Sequence, residues 1–461
     1  MKKMSILLVV LLMSFQSIYA ENSTYTTENG SSRKYLLWSE LKSFNSQLTE
    51  DIRQQKYGKM AVSPFIFYRG TAHQYYSDLD RQNLITQNEF YSSQAVTWIQ
   101  GDLHVQNYGA FDDDEGDIIF DLNDFDESWV TSYLYDVLRA ATSLVLVGRE
   151  NAIFSESEIN DFVDAFTETY LDQLEDYRGN NDEKDAKITK SDAYGLLDEF
   201  LDDVEDDNDR VEMLDKWTNI GSNGRYFDLG YEKLESVTSS ERSAIIAAID
   251  SYKDQISSKL QGKDSYFKVL DVSRRILAGT GSLGTPRFYV LIDGESSSTN
   301  DDRILDVKQQ GFPSIFPYLS QVEIENISSL TPGDRVIKAQ KAMLTDVDDH
   351  LGSTIILGQF YSVRERSPYK ESFDTTVLTS DTRFIKLAEQ WGSILATAHA
   401  RADNDYDSSF VENSFESVMH QLTDHKHDEF RNYVRLFANS YANQVQIDYN
   451  YFIELLNEGE L

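Results

Sequence analysis

The chain has 461 residues, with 42 Lys and Arg against 78 Asp and Glu, giving a formal net charge of −36. Such acidity argues against nucleic acid or an anionic membrane as a main partner, because both would repel it. At 40% hydrophobic and 12% aromatic residues the chain is too apolar for a solvated coil, and without cysteine it holds no disulfide, thiolate nucleophile or Cys-based metal centre.

Residues 1–20, MKKMSILLVVLLMSFQSIYA, run from basic Lys2 and Lys3 through an apolar stretch Ile6–Met13 to the small residue Ala20. This order predicts a cleaved export signal, hence a secreted or periplasmic protein with no stable membrane insertion after cleavage. The apolar stretch falls short of the ~20 residues that span a bilayer.

Residues 21–60 read as a polar leader and a first helix, from Lys34 to about Gln55, with Leu36, Trp38, Leu41, Phe44 and Leu48 at helical spacing. A strand AVTWIQ (95–100) leads into GDLHVQN (101–107), an acidic turn DDDEGD (112–117) and a β-run IIFDLNDF (118–125). Tyr133 to Gly148 reads as a buried helix, and 155–265 as amphipathic helices with charged loops. The texture then changes to VSRRILA, GTGSLG, TPRFYVLIDG and RILDVK over 272–308, with TIILGQFYSV (354–363) as a further strand. Phe384, Leu387, Trp391 and Leu395 mark a helix over 381–403, and the tail to Leu461 is again helical. The expected units are therefore a helical lobe at 61–265, a β-rich lobe at 266–370 and completing C-terminal helices at 371–461.

Two constellations carry chemistry. Asp102 and Asn107 lie five residues apart on one loop, with Asp124 at the end of a nearby β-run. One acid can take a proton from a hydroxyl while the amide and the second acid hold Mg²⁺ against a polyphosphate. The same residues also suit an acidic loop with ordinary capping side chains. The second constellation is Gly279-Thr-Gly281-Ser282-Leu-Gly284, with Lys308 on the second β-run after it. A dinucleotide fold needs a helix right after such glycines, and here RFYVLI is β-rich. A glycine loop between antiparallel strands with Lys on a third is how protein-kinase-like folds cover and contact ATP phosphates. A glycine hairpin with a surface lysine is the plainer alternative. No D-x-[DN]-x-[DN]-G frame fits Gly116, which argues against an EF-hand, and His420, His425 and His427 do not share a helix face.

The pieces FYRG (67–70), GDLHVQN, FDLNDFDE (120–127), GTGSLGTPRFYVLIDG (279–294), ILDVKQ (304–309), FYSVRE (360–365) and LATAHARAD (395–403) resemble the bacterial domain-of-unknown-function family 2252. GDLHVQN and NDFD are also similar to the catalytic and metal-binding motifs of aminoglycoside-phosphotransferase-like kinases. In those kinases the glycine loop precedes the catalytic loop, whereas here it follows. The resemblance thus implies an α+β, two-lobed, protein-kinase-like fold that is circularly permuted, with a small antiparallel β lobe and a large helical lobe.

By the same resemblance Asp102 is the catalytic acid/base residue, and Asn107 and Asp124 are the ligands of Mg²⁺ or Mn²⁺, with Asp121 a second candidate ligand. Gly279, Gly281, Ser282 and Gly284 cover the phosphates of ATP, and Lys308 contacts them. His104 is expected to be structural, while Arg69 and Arg364 are expected either as anion contacts or as structural ion-pair partners. One departure stands out: the helix expected at 334–344 has no Glu to pair with Lys308, so that either Glu323, Glu325 or Asp334 substitutes or the pairing is absent. The expected partners are a nucleotide and an acceptor that the sequence does not name. Nucleotidyl (AMP) transfer and a non-catalytic scaffold role are the alternatives.

Overall fold

A computed structural model describes residues 24–296 and 298–461. The export signal expected at 1–20 lies outside the described residues. Four helices open the chain, α1 (Gly30–Phe44), α2 (Glu50–Met60), α3 (Pro64–Arg69) and α4 (Ala72–Arg81). The single first helix expected from Lys34 to Gln55 is thus two, because the chain turns at Asn45 and restarts where Thr49 caps α2 through the Ile52 amide.

Strand β1 (Val96–Ile99) leads to the loop at 100–107, then to the hairpin β2 (Tyr108–Asp112) and β3 (Ile118–Leu122). Strand β4 (Trp129–Ser132) returns antiparallel to β1, and the long helices α5 (Leu134–Glu150) and α6 (Glu156–Tyr177) follow. Next come α7 (Leu196–Asp207), α8 (Arg210–Trp217), the hairpin β5 (Thr218–Gly221) and β6 (Gly224–Phe227), the short β7 (Leu234–Glu235), and α9 (Ser239–Tyr252). Strands β8 (Val269–Arg275), β9 (Arg287–Ile292) and β10 (Arg303–Gln309) precede α10 (Gln321–Asn326) and α11 (Pro332–Met343). Strands β11 (Gly352–Ile356), β12 (Gln359–Glu365) and β13 (Glu371–Ser372) lead into α12 (Asp381–Arg401), α13 (Asn404–Asp407), α14 (Phe415–Thr423) and α15 (His427–Asn457).

The fold is α+β with antiparallel sheets. The largest has the order β11-β12-β10-β9-β8-β7, so the glycine loop joins neighbouring strands β8 and β9, and Lys308 lies on the next, β10. The strand expected over 354–363 is a hairpin, since Leu357 and Gly358 both adopt left-handed backbone and reverse the chain.

Two further apolar clusters sit apart from the main core, one on each face of this sheet. Ile245, Ile249 and Tyr252 of α9 pack on Val290, Val307 and Val363, while Met213, Leu214 and Trp217 of α8 pack on Tyr289, Leu291 and Ile304. Helices α8 and α9, which fall within the 61–265 unit expected as the helical lobe, therefore pack on the sheet of the β-rich lobe. Alone, α8 and α9 look like any amphipathic helix, and only the sheet beneath them assigns them to this lobe.

The main core joins both ends of the chain. Helix α12 lies along α6, and α15 packs on α5, α6 and α1. Buried Arg33 on α1 donates to Asp78 of α4 at 2.6 and 2.7 Å and to Asp448 of α15 at 2.8 Å, pinning the opening helices to the last one.

Candidate active site

The loop after β1 is shaped from its base. Asp136, buried at the start of α5, accepts the backbone amides of Gln100 at 2.6 Å and Gly101 at 2.9 Å. Gly101 has φ +90°, and a Cβ there would stand 2.0 Å from the Glu127 carbonyl oxygen, so only glycine passes at this crossing. The Gln100 side chain donates to the carbonyls of Asn123 (3.0 Å) and Asp124 (2.6 Å), and the Asn123 amide donates to the Asn107 carbonyl at 2.8 Å. The two acid-bearing loops are thereby one hydrogen-bonded unit.

Within that unit Arg139 of α5 is fully buried, stacked on Tyr68 with its guanidinium 4.2 Å from the ring centre, and donates through Nε to Asp102 Oδ1 at 2.7 Å. Its Nη2 pairs with the same oxygen, which leaves Oδ2 free of this clamp. Burial pushes the Asp102 carboxyl up to about 6 although Arg139 opposes the rise. Asn107 donates its side-chain NH₂ to the Asp102 carbonyl at 2.9 Å, which reserves its oxygen for another partner. His104 is buried, its Nδ1 meets no partner, and desolvation drives its pKa well below the usual histidine value. It packs edge-on against Phe65, in keeping with a structural part rather than a base.

Asp124 takes a left-handed conformation (φ 61°, ψ 70°) just past β3, which swings its carboxylate out of the strand's alternation. Lys308 Nζ lies 3.0 Å from Asp124 Oδ1 and also pairs with Asp126. Burial alone would raise the Asp124 carboxyl, but the Lys308 ammonium outweighs it and holds the group well below the usual carboxylate range. The same two carboxylates hold the Lys308 amine above its ordinary value against the cost of burial.

The substitutes named for the missing glutamate are engaged elsewhere. Glu323 and Asp334 close the N-terminal caps of α10 and α11, and Glu325 accepts from Gln321. Asp121 also stands apart. It is buried on β3, accepts the Leu122 amide at 2.7 Å, is pushed up to about 6 by burial and does not line the cleft. Asp126 occupies the position expected of it, and the D-x-D spacing of 124–126 was the available signal.

One cleft of about 280 Å³ collects the site. Asp102, Asn107, Asp124, Asp126 and Glu127 form one side, and Gly279, Gly281 and Ser282 of the glycine loop face them. Gly284 does not line this cleft. Its missing side chain makes room for Leu48 and Ile52, 2.7 and 2.9 Å from where a Cβ would be. Lys308 reaches the cleft through Asp124 and also lines a neighbouring cavity of about 240 Å³ beneath the glycine loop, with Gly284, Ser282 and Arg287. Arg69 lines the main cleft and donates to Gln106, whereas Arg364 sits behind Lys308 across from Asp306 on the sheet. Glu127 escaped the sequence reading. Burial pushes its carboxyl up to about 7, and it accepts the Ser314 amide.

The Asn107 amide oxygen and the carboxylates of Asp124 and Asp126, which now hold Lys308, form an all-oxygen set that fits a hard divalent cation such as Mg²⁺ or Mn²⁺. No curated protein matches the chain, and no solved structure does. A family model described as an uncharacterized protein conserved in bacteria (DUF2252) matches residues 49–455, nearly the whole chain. With that span matched, this protein belongs to the DUF2252 family.

Proposed function

We propose that the protein is an exported, kinase-like enzyme that binds ATP with a divalent cation and transfers a phosphoryl group to an acceptor. The observation that carries this reading is the convergence of Asp102, Asn107 and Asp124 with Gly279, Gly281 and Ser282 in one cleft, although the two groups are far apart in sequence. The adjacency of β8, β9 and β10 supports it, because a glycine loop between the first two and a lysine on the third match the phosphate-covering device of kinases. Circular permutation is supported by the meeting of the chain ends: Gln54 on α2 donates to the Leu461 carbonyl at 3.2 Å, and Trp38 on α1 to the Glu460 carbonyl at 3.2 Å.

In this reading Asp102 takes the proton of the acceptor hydroxyl through Oδ2 while Arg139 fixes its orientation. The acceptor oxygen forms the new P–O bond as the bond to ADP breaks. A cation held by Asn107, Asp124 and Asp126 would neutralise phosphate charge. With Asp124 and Asp126 committed to such a cation, Lys308 would be free to contact the phosphates. The closed Lys308 pairing favours a second reading, a binding protein without turnover. Phosphoryl transfer from ATP with Mn²⁺ separates the two: Asp102→Asn should lower turnover by ~10²–10⁴ at unchanged melting temperature. A loss of only a few-fold removes Asp102 from its role, and a product heavier by AMP rather than phosphate replaces phosphoryl with nucleotidyl transfer. Export is part of the proposal, and N-terminal sequencing of the mature chain should begin at Glu21.

A further inference from the structure

Most buried cations of this acidic chain are spoken for. Arg33 has Asp78 and Asp448, Arg139 has Asp102, Arg287 has Asp306, and Lys308 has Asp124 and Asp126. Arg335 and Arg401 each saturate their guanidinium on three backbone carbonyls. Three cations at the tip of the glycine loop are different.

Lys56 on α2 is 2% exposed, and among the described residues its ammonium has one hydrogen-bond partner, the Gly281 carbonyl at 3.0 Å. Lys59, one turn on, donates to the carbonyls of Gly279 at 2.9 Å and Leu277 at 3.4 Å. Arg69 on α3 lines the cleft itself, and among the described residues it donates only to the Gln106 amide oxygen and keeps a buried Nε without a partner. Among the described residues none of the three has a carboxylate within 4 Å, in a chain where acids outnumber bases by 78 to 42. The Arg69 backbone carbonyl stands 3.4 Å from where a Gly281 Cβ would be, so α3 and the glycine loop are neighbours here. Desolvation lowers the pKa of all three, Lys56 to about 8; Arg275 and Lys233, and then Arg69, lower Lys59 further, while the charges of Glu127 on Lys56 and of Asp102 and Asp124 on Arg69 oppose the shift without outweighing burial. Buried positive charge held by neutral partners is costly, and an anion relieves the cost.

We propose that Arg69, Lys56 and Lys59 form an anion subsite at the tip of the glycine loop, which takes a phosphate-type group at the cleft. Arg69 meets the anion in the cleft. The two lysines exchange a peptide carbonyl for an anionic oxygen, a charge-assisted and therefore stronger bond. The anion is either the terminal phosphate of the donor or an acidic group on the acceptor. The latter choice rests on the phosphoryl-transfer reading, but the existence of the subsite does not.

The test is calorimetric titration of the full chain with pyrophosphate, without metal and at low salt. Wild type should bind, Arg69→Gln and Lys56→Met should each weaken binding about tenfold or more, and Lys59→Met several-fold. Lys190→Met, which removes one exposed charge elsewhere, should bind like wild type. Lys59 is only half-buried, so its variant keeps the test open if Lys56→Met misfolds. Absence of pyrophosphate binding in wild type, or equal affinity in Arg69→Gln and Lys59→Met, overturns the subsite. Displacement of pyrophosphate by ATP with Mn²⁺ assigns it to the donor phosphate, and binding of both assigns it to the acceptor; either result upholds it. If ATP fails to bind while pyrophosphate binds in this pattern, the phosphoryl-transfer reading is lost and the subsite stands.

Discussion

Lys308 and a divalent cation compete for the same two carboxylates, which makes Lys308→Met an informative perturbation. At 3.0 Å from Asp124 Oδ1, and with an effective dielectric of ~20, the attraction is roughly 5 kcal/mol before desolvation. Lys308 is 8% exposed, so burying its ammonium offsets much of that gain. The Asp124 side chain is 43% exposed towards the cleft, so solvent screens the pair further. A net loss of about 2 kcal/mol is expected without metal, or roughly 2–3 °C in melting temperature for a chain of this size. Mn²⁺ should then stabilise the variant more than wild type, because it meets two carboxylates with no ammonium to displace. Calorimetric melts with and without Mn²⁺ read both effects. A variant that melts like wild type and gains nothing from Mn²⁺ refutes the shared-ligand arrangement.

Three further outcomes follow from the geometry. Gly101→Ala forces a Cβ against the Glu127 carbonyl in a left-handed conformation, and should cost roughly 2–3 kcal/mol in chemical denaturation; a neutral result would place the two loops further apart. Arg33→Met leaves Asp78 and Asp448 buried and unpaired, and should cost about 3–5 kcal/mol with little dependence on salt; a loss under 1 kcal/mol would mean the triad does not pin the chain ends. Burial opposes the charging of His350, but Asp348 at 2.8 Å outweighs it and raises its pKa. Its stabilisation is therefore complete below the unfolded histidine value of ~6.5 and is lost as pH rises through the higher folded value. Stability measured from pH 6 to 9 should fall across that window in wild type and not in His350→Gln.

The site was legible in sequence where its chemistry is local. Asp102 and Asn107 share one loop and Gly279 and Gly281 another, so motifs contiguous in sequence marked residues that the fold brings to one cleft, whereas Gly284 of the same motif does not line it. Asp126 lines the cleft and Asp121 does not, because a strand's alternation decides which acid faces the cleft and the left-handed turn at Asp124 resets that alternation. The Lys308 partners were sought on a helix, as in kinases, but they come from the loop after β3. Lys56 and Arg69 gave no signal as a pair with the glycine loop, since packing between distant segments creates their site. The packing of α9 on the sheet was hidden for a similar reason: Ile245 and Ile249 mark an apolar face, and what that face covers is a matter of tertiary packing.

The most direct test of the central claim is a calorimetric titration of ATP with Mn²⁺ into the mature chain and into Asp124→Asn. Metal-dependent binding in wild type, weakened at least tenfold in the variant, is the predicted result. No binding in wild type, or affinity indifferent to both Mn²⁺ and Asp124, would contradict it.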